Sequence, residues 1–211
     1  QECRIYRRKD GSSYLHFPKT EETIDVIVPE NAVLKEVKVI PYCGDFMIAV
    51  TFDNAKTVPE RNAKFIAGID LGVDNAAALV INDGGKPVLY KGGALKAKNQ
   101  FYNKNRAKYV GILMKGHKPE EVSIKTKMLA SISKNRKFFM DDEMHKISCH
   151  IVRECVKRNV GTIVIGKNKH WKTKSEMSKK TNQEFVQIPH CTLIHMIRYK
   201  AEREASCNIQ T

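Results

Sequence analysis

The chain has 211 residues, 42% of them hydrophobic and 28% charged, the composition of a globular protein large enough for one or two domains with a buried core. It contains no run of about 18 apolar residues, which excludes a membrane-spanning helix. Its six cysteines are scattered without a CxxC pair, which predicts reduced, mostly buried thiols in a cytoplasmic protein and excludes a disulfide framework or a closed zinc site.

The net charge of +14 is concentrated in one segment. Between Lys96 and Lys180 there are 22 Lys and Arg against 7 Asp and Glu, a net of +15, so the rest of the chain has a net charge of −1. Concentrated positive charge favours a polyphosphate partner, because each neutralised phosphate releases condensed counterions. The alternative, a set of solvated helix faces, fits the asymmetry less well, and we expect a nucleic-acid partner.

The first 62 residues are predicted to be β structure. Apolar and other residues alternate from Phe46 to Phe52 and again around Val37 and Val39, and the polar segment 42–45 between them is typical of a hairpin loop. Two more short strands are predicted at Ser13–Phe17 and Thr23–Val28. Strands this short are typical of a small barrel or sandwich, and we expect a small β-barrel over residues 1–62. The polar, proline-marked segment 58–62 predicts the domain boundary.

A different pattern begins at Phe65. Three short apolar segments joined by tight turns predict an antiparallel meander, followed by helices and one more buried strand. The predicted elements are strands at Phe65–Gly72, Ala76–Ile81, Pro87–Tyr90 and Thr162–Ile165, and helices at Asn99–Lys115, Ser123–Lys137, Asp141–Arg158 and after Pro189. This order predicts an incomplete ribonuclease H-like α/β domain over residues 63–211, with a basic helical insertion at about 97–138 and without the fifth strand and closing helix.

Asp70 is the central candidate for chemistry. A carboxylate at the end of a buried strand, close to Gly72, can hold a divalent metal against a phosphate. The same carboxylate could instead cap backbone N–H groups of the turn. An Asp and a Gly before a hairpin also occur in actin-like and sugar-kinase ATPases, but the further glycine-rich loops of that class are missing here.

Several motifs occur in a fixed order along nearly the whole chain. They are FIAGIDLGVDN at 65–75, KGGALK at 91–96 with NQFYN at 99–103, GTIVIGKN at 161–168 with WK at 171–172, TNQEFVQIP at 181–189 and YKAE at 199–202. Together they resemble the TnpB (OrfB) family of transposon-encoded, RuvC-like nucleases.

The resemblance implies RNA-guided, Mg²⁺-dependent cleavage of DNA, with guide RNA and DNA as partners and a cytoplasmic, nucleoid-associated location in a prokaryote. It assigns a metal-binding role to Asp70 and likens the β region to a wedge domain that grips guide RNA and target duplex. The nucleic-acid-binding candidates are Lys104, Arg106, Lys108, Lys134, Arg136, Lys137, Lys167, Lys169, Trp171 and Lys172. Trp171 could stack on a nucleobase or cover the core.

Two departures from the family bear on activity. Many relatives have a catalytic Glu where this chain has Gly166, and in a subset a Glu of the next helix substitutes for it. The matching residue is Glu202, which we expect to lie on the same side of the sheet as Asp70 and to share its metal; Glu204 is the fallback. An ordinary exposed carboxylate paired with Arg198 is the alternative.

The second departure is that the family's zinc ribbon and final Asp are absent from the 211 residues. We therefore expect no bound zinc and no cleavage by this chain, and the alternative function is a non-cleaving nucleic-acid-binding remnant or regulator. His145 and Cys149, one helical turn apart, could bind a metal, but helix packing explains them better because no further ligands converge.

Overall fold

The computed structural model describes residues 2–42, 44–53, 64–166, 187–205 and 208–210. The chain divides into two compact units, Gln1–Thr57 and Val58–Thr211. The predicted boundary at 58–62 lies outside the described residues.

The first unit contains two open antiparallel sheets. One has three strands, β1 (Arg4–Arg7), β2 (Ser13–His16) and β3 (Thr23–Val26), in that order; the other pairs β4 (Val33–Tyr42) with β5 (Asp45–Asp53). Gly44, at φ +86°, lies in the tight turn between the last two strands. The predicted barrel is not closed in the described part of this unit, because the pairing there stops at β3 and starts again at β4.

The second unit contains a five-stranded mixed sheet. Its strands are β6 (Phe65–Asp70), β7 (Asn75–Ile81), β8 (Val88–Lys91), β9 (Val160–Ile165) and β10 (Asn208–Gln210), in the order β10-β9-β6-β7-β8. The predicted meander β6–β7–β8 is confirmed. Strand β9 runs parallel to β6, so β6 is the central strand of the sheet.

The expectation that the sheet lacks its fifth strand is wrong. Asn208–Gln210 pairs in parallel with β9, opposite residues Thr162–Val164, and Ile209 packs against the core. A strand of three residues is too short to show an alternation in sequence, which is why the pattern analysis missed it.

The described residues of the second unit also form three α-helices: α1 (Gly93–Leu113), α2 (Lys127–Lys157) and α3 (His190–Ala205). The two helices predicted at 123–137 and 141–158 are one helix of 31 residues, α2. The acidic residues at 141–143 resemble the first turn of a helix, but they lie in its middle. There Asp141 pairs with Lys137 and Asp142 with Lys146, each at a spacing of four residues.

The helices cover one face of the five-stranded sheet. The buried residues form one cluster that contains Ile69 and Ile163 from the sheet, Ile151 from α2 and Ile197 from α3. The opposite face carries exposed apolar side chains on four adjacent strands: Ile66, Val80, Leu89 and Val164. We call these two sides of the sheet the covered face and the open face. None of the described helices is long and apolar enough to cross a membrane.

The cysteines are more exposed than expected. Of the four that the structure describes, Cys155 is buried, Cys3 and Cys149 are half-buried and Cys191 is exposed, and none of these four is in a disulfide. Among the described cysteines, Cys155 agrees with the expectation of buried thiols, whereas Cys3, Cys149 and Cys191 are more exposed than expected.

Candidate functional site

Asp70 ends the central strand of the sheet. Along β6, Ala67 and Ile69 point into the core, whereas Ile66, Gly68 and Asp70 alternate with them and are exposed. The carboxylate therefore lies on the open face, at the C-terminal end of β6, where a ligand can approach it from solvent.

Gly166 lies immediately beside Asp70. Its backbone N–H donates to the carbonyl oxygen of Ile69 at 2.9 Å, because β9 runs parallel to β6 and ends level with it. A Cβ at position 166 would lie 4.0 Å from Oδ1 of Asp70 and 3.6 Å from the carbonyl oxygen of Ile69. Position 166, directly after β9, is thus the place from which a second side chain would meet Asp70, and the glycine supplies none.

The turn after Asp70 is held by the start of α3. His190 is fully buried, and its Nε2 lies 3.1 Å from the carbonyl oxygen of Gly72, to which an Nε2–H donates. Leu71, between the strand and this glycine, is buried in the core. Sequence analysis did not single out His190; its place directly after Pro189 at a helix start was the available signal.

The start of α1 also contacts this turn. The backbone N–H of Gly92 donates to the carbonyl oxygen of Asp74 at 2.8 Å, and Nζ of Lys96 lies 2.7 Å from Oδ1 of Asp74. The hydrogen bond from Lys96, together with its charge, lowers the pKa of the Asp74 carboxyl. The turn from Leu71 to Asp74 is therefore fixed from both the α1 and the α3 side.

Glu202 lies on the exposed side of α3, next to the buried Ala201. The apolar residues of α3 pack on the covered face, whereas the Asp70 carboxylate lies on the open face. Glu202 therefore projects from a helix on the other side of the sheet from Asp70, although we expected both on the same side. To share a metal with Asp70, the Glu202 side chain must extend past the ends of the strands. The fallback, Glu204, forms an ion pair with Arg203 at 2.5 Å.

The described residues contain no group of three or more His, Cys, Asp or Glu side chains that could hold a metal ion. His145 and Cys149 do not form such a site either. Nδ1 of His145 lies 3.3 Å from Nζ of the buried Lys200, and the ammonium group also donates to Oγ of Ser148 at 2.6 Å. A cation next to the imidazole opposes metal binding there, which agrees with the interpretation as helix packing.

The predicted nucleic-acid contacts divide into exposed and half-buried side chains. On α1, Lys104, Arg106 and Lys108 are exposed, and Lys104 and Lys108 lie one helical turn apart. On α2, Lys137 is exposed and pairs with Asp141, while Lys134 is half-buried with its ammonium group 5.7 Å from the Phe138 ring. Lys167, Lys169, Trp171 and Lys172 lie outside the described residues.

Arg136 contacts other parts of the protein itself. Its Nε donates to Oδ1 of Asn99 on α1 at 2.7 Å, and its Nη2 donates to the carbonyl oxygen of Gln187 at 3.0 Å. The guanidinium group also lies 5.0 Å from the centre of the Tyr102 ring. These contacts join α1, α2 and the segment before α3, so the structure gives Arg136 a packing role that charge counting did not anticipate.

Comparison with known proteins places the chain in a family. The model of the OrfB_IS605 family, described as a probable transposase, matches residues 47–172. A Cas12f1 structure, solved by cryo-EM in complex with sgRNA and target DNA, is similar at a TM-score of 0.53 with 16% identity; the match covers 83% of this chain and 41% of that one. No curated protein sequence matches the chain.

A second structure, a CRISPR-Cas12f ternary complex, has a TM-score of 0.49 and 17% identity, over 82% of this chain and 34% of that one. The chain thus spans less than half the length of these two proteins. The similarity to Cas12f1 concerns the fold, a mixed α/β arrangement. The family match covers more than half of the residues, and the chain belongs to the OrfB_IS605 family of probable transposases.

Proposed function

We propose that the chain is the RuvC-like part of an RNA-guided DNA endonuclease, with Asp70 as a metal ligand. The observation that carries this proposal is the geometry around Asp70. An exposed carboxylate ends the central strand, the parallel strand β9 ends beside it, and the turn that follows is fixed by His190 and Gly92. A carboxylate held in this way can bind a metal against a phosphate.

The charge distribution supports a nucleic-acid substrate. Lys104 and Lys108 project from one side of α1, within the segment that has a net charge of +15. Exposed lysines on a helix can neutralise successive phosphates, and the counterions that are released drive binding. The Cas12f1 structure with a similar fold was solved with sgRNA and target DNA, which supports RNA and DNA as the partners proposed here.

Mg²⁺ is the metal proposed for Asp70. Mg²⁺ keeps several water ligands and is commonly bound through one or two carboxylates together with substrate phosphates. Asp70 supplies one carboxylate, and Glu202 is proposed as the second. When bound, the metal supplies Lewis-acid activation of the phosphate. The role of Asp70 is to hold it at the strand end, and the roles of His190 and Gly92 are to keep the turn after Asp70 in place.

A second function, nucleic-acid binding without cleavage, is favoured by one specific observation. Gly166, directly after β9, lies next to Asp70 and offers no ligand, and the described residues contain no cluster of three metal-binding side chains. A metal with too few protein ligands is held loosely and misplaced. In this case the chain would bind DNA or RNA through α1 and α2 and would not cut.

A paired binding and cleavage experiment tests both functions. Binding of a labelled DNA duplex should weaken by orders of magnitude between about 50 and 200 mM salt if six or more phosphates are contacted. Lys104→Ala with Lys108→Ala should reduce the salt dependence, whereas Asp70→Ala should leave binding almost unchanged. A binding curve that is independent of salt would reject the nucleic-acid interface.

Cleavage is measured on the same duplex with Mg²⁺ and a guide RNA complementary to it. Turnover that is lost in Asp70→Ala supports the nuclease, and binding without turnover supports the non-cleaving alternative. Isothermal titration with Mn²⁺ in place of Mg²⁺ provides an independent readout. Heat of binding that disappears in Asp70→Ala and decreases in Glu202→Gln would support the proposed ligand pair, and equal heats in all three proteins would reject it.

A further inference from the structure

Arg136 lies half-buried where α1, α2 and the segment before α3 meet. Its Nε donates to Oδ1 of Asn99 at 2.7 Å, and its Nη2 donates to the carbonyl oxygen of Gln187 at 3.0 Å. Asn99 is only 2% exposed, so water competes little for the first of these hydrogen bonds. One guanidinium group can join two distant segments in this way because its N–H donors form a rigid fork.

A second contact fixes the side chain of Gln187 on α1. Its amide group and that of Asn103 exchange two hydrogen bonds: Nδ2 of Asn103 donates to Oε1 of Gln187, and Nε2 of Gln187 donates to Oδ1 of Asn103, both at 3.1 Å. Asn99 and Asn103 lie one helical turn apart on α1. Gln187 is therefore held by its backbone from α2 and by its side chain from α1.

The segment from Gln187 to His190 connects this contact to the turn after Asp70. Ile188 is fully buried, and its carbonyl oxygen accepts a hydrogen bond from the backbone N–H of His190 at 2.9 Å. The imidazole of His190 then reaches the carbonyl oxygen of Gly72 at 3.1 Å. Because the core holds Ile188, a shift of Gln187 also moves His190 and the turn that it contacts.

We propose that Arg136 is a positioning residue that holds the turn after Asp70 through Gln187 and His190, and that it is not a nucleic-acid contact. Two of its donor nitrogens, Nε and Nη2, already donate to protein acceptors. A phosphate that bound the same side of the fork would have to displace both acceptors. The inference rests on the proposed function for the metal at Asp70, but the hydrogen bonds that lead to the turn do not depend on it.

Amide hydrogen exchange, followed by NMR on the full chain, tests this connection without any metal. The N–H of Gly92 donates to the carbonyl oxygen of Asp74 and reports on the turn, and the N–H of Leu193 donates to that of Pro189 and reports on the start of α3. Arg136→Gln should speed the exchange of both amides about tenfold or more, because it removes two charge-assisted hydrogen bonds. Arg136→Lys keeps the charge but not the fork and should act in the same direction.

Arg158→Gln is the matched control. Arg158 directly follows α2, and its Nε donates to Oδ2 of Asp83 at 2.6 Å, so this variant also removes an arginine that joins α2 to another segment. It should speed the exchange of Gly85, whose N–H donates to Oδ1 of Asp83 at 2.8 Å. The amides of Gly92 and Leu193 should exchange in Arg158→Gln as they do in the wild type.

Two binding measurements separate positioning from nucleic-acid contact. The affinity for Mn²⁺, measured by isothermal titration, should fall about threefold or more in Arg136→Gln and stay unchanged in Arg158→Gln. The salt dependence of DNA duplex binding should be the same in Arg136→Gln as in the wild type. Loss of a phosphate contact would instead lower that dependence by about one.

Unchanged exchange of Gly92 and Leu193 in Arg136→Gln would overturn the inference. Exchange that is equally faster in Arg136→Gln and Arg158→Gln would do the same, because it would indicate a general loss of stability. A lower salt dependence of duplex binding in Arg136→Gln would make Arg136 a phosphate contact and would also overturn it. A wild type that binds no Mn²⁺ would reject the proposed function, whereas the exchange rates would still decide whether Arg136 holds the turn.

Discussion

Replacing Gly92 by alanine should destabilise the second unit, because the chain passes too close to the turn after Asp70 at this point. A Cβ at position 92 would overlap the carbonyl oxygen of Val73, because its distance from that oxygen would be well below 3.0 Å, the limit under which Cβ contacts essentially never occur. It would also lie 3.2 Å from the carbonyl carbon of Val73 and 3.4 Å from the amide nitrogen of Ala76. All three are backbone atoms, so no change of side-chain rotamer can relieve the overlap.

The expected magnitude follows from the cost of overpacking. Forcing an extra methyl group into a closely packed site costs about 1–3 kcal/mol, and the upper half of that range applies where backbone must move. For a chain of this size, each kcal/mol changes the melting temperature by about 2–4 °C. We therefore expect Gly92→Ala to melt roughly 4–12 °C below the wild type.

Gly93→Ala is the matched control. It is the first residue of α1, and a Cβ there meets no heavy atom within 4 Å. Since alanine is favoured over glycine in helices by up to about 1 kcal/mol, this variant should melt at or slightly above the wild-type temperature. Thermal denaturation followed by circular dichroism measures both. Equal melting temperatures for the two variants would refute the close approach of Gly92 to the Val73 backbone.

Three further predictions concern the site and the core. Gly166→Glu places a carboxylate beside Asp70 and should raise Mn²⁺ affinity at least about tenfold by calorimetry, with no gain when Asp70→Ala is also present. Two hydrogen bonds lower the pKa of Asp83 from 3.8 to about 2. The larger effect comes from Nε of Arg158, which donates to Oδ2 at 2.6 Å, and the smaller from the backbone N–H of Gly85. This contribution to stability is present above pH 4 and is lost as the pH falls towards 2. Between pH 4 and pH 2 the melting temperature should therefore fall less in Arg158→Met than in the wild type. Melting temperatures that fall in parallel in the two proteins would contradict this contribution. Ile151→Ala removes a fully buried side chain and should cost about 2–5 kcal/mol in urea denaturation, and a cost below 1 kcal/mol would show that this part of α2 is loosely packed.

Elements with a long, regular pattern could be predicted from the sequence. The sequence predicted β5 from the alternation of its residues and β6 from the apolar run that contains Asp70. The structure contains both strands at nearly the same residues. Both patterns are local, because they follow from the burial of alternate side chains or of a whole central strand. The pairing of β9 in parallel with β6 then places Gly166 beside Asp70, as the family resemblance implied.

Elements that depend on distant contacts could not be predicted in this way. The three residues of β10 become a strand only because the edge of β9 is available for pairing. The continuation of α2 through the acidic residues at 141–143 depends on lysines one turn away on each side, which offset the unfavourable position of acids in mid-helix. His190 reaches Gly72 across 118 positions of the sequence, a contact that no local pattern contains.

The sequence and the packing of the helices disagree most about the second metal ligand. Sequence similarity identifies Glu202, whereas packing places α3 on the covered face and Asp70 on the open face. A carboxylate on α3 that replaces the one missing at Gly166 must therefore reach Asp70 around the C-terminal ends of β6 and β9, since the sheet itself separates the two faces. Glu202 is exposed, but it lies about 18 Å of helix rise beyond His190, the end of α3 that contacts the turn after Asp70. Glu204 would first have to give up its ion pair with Arg203, which makes Glu202 the better candidate on energetic grounds as well.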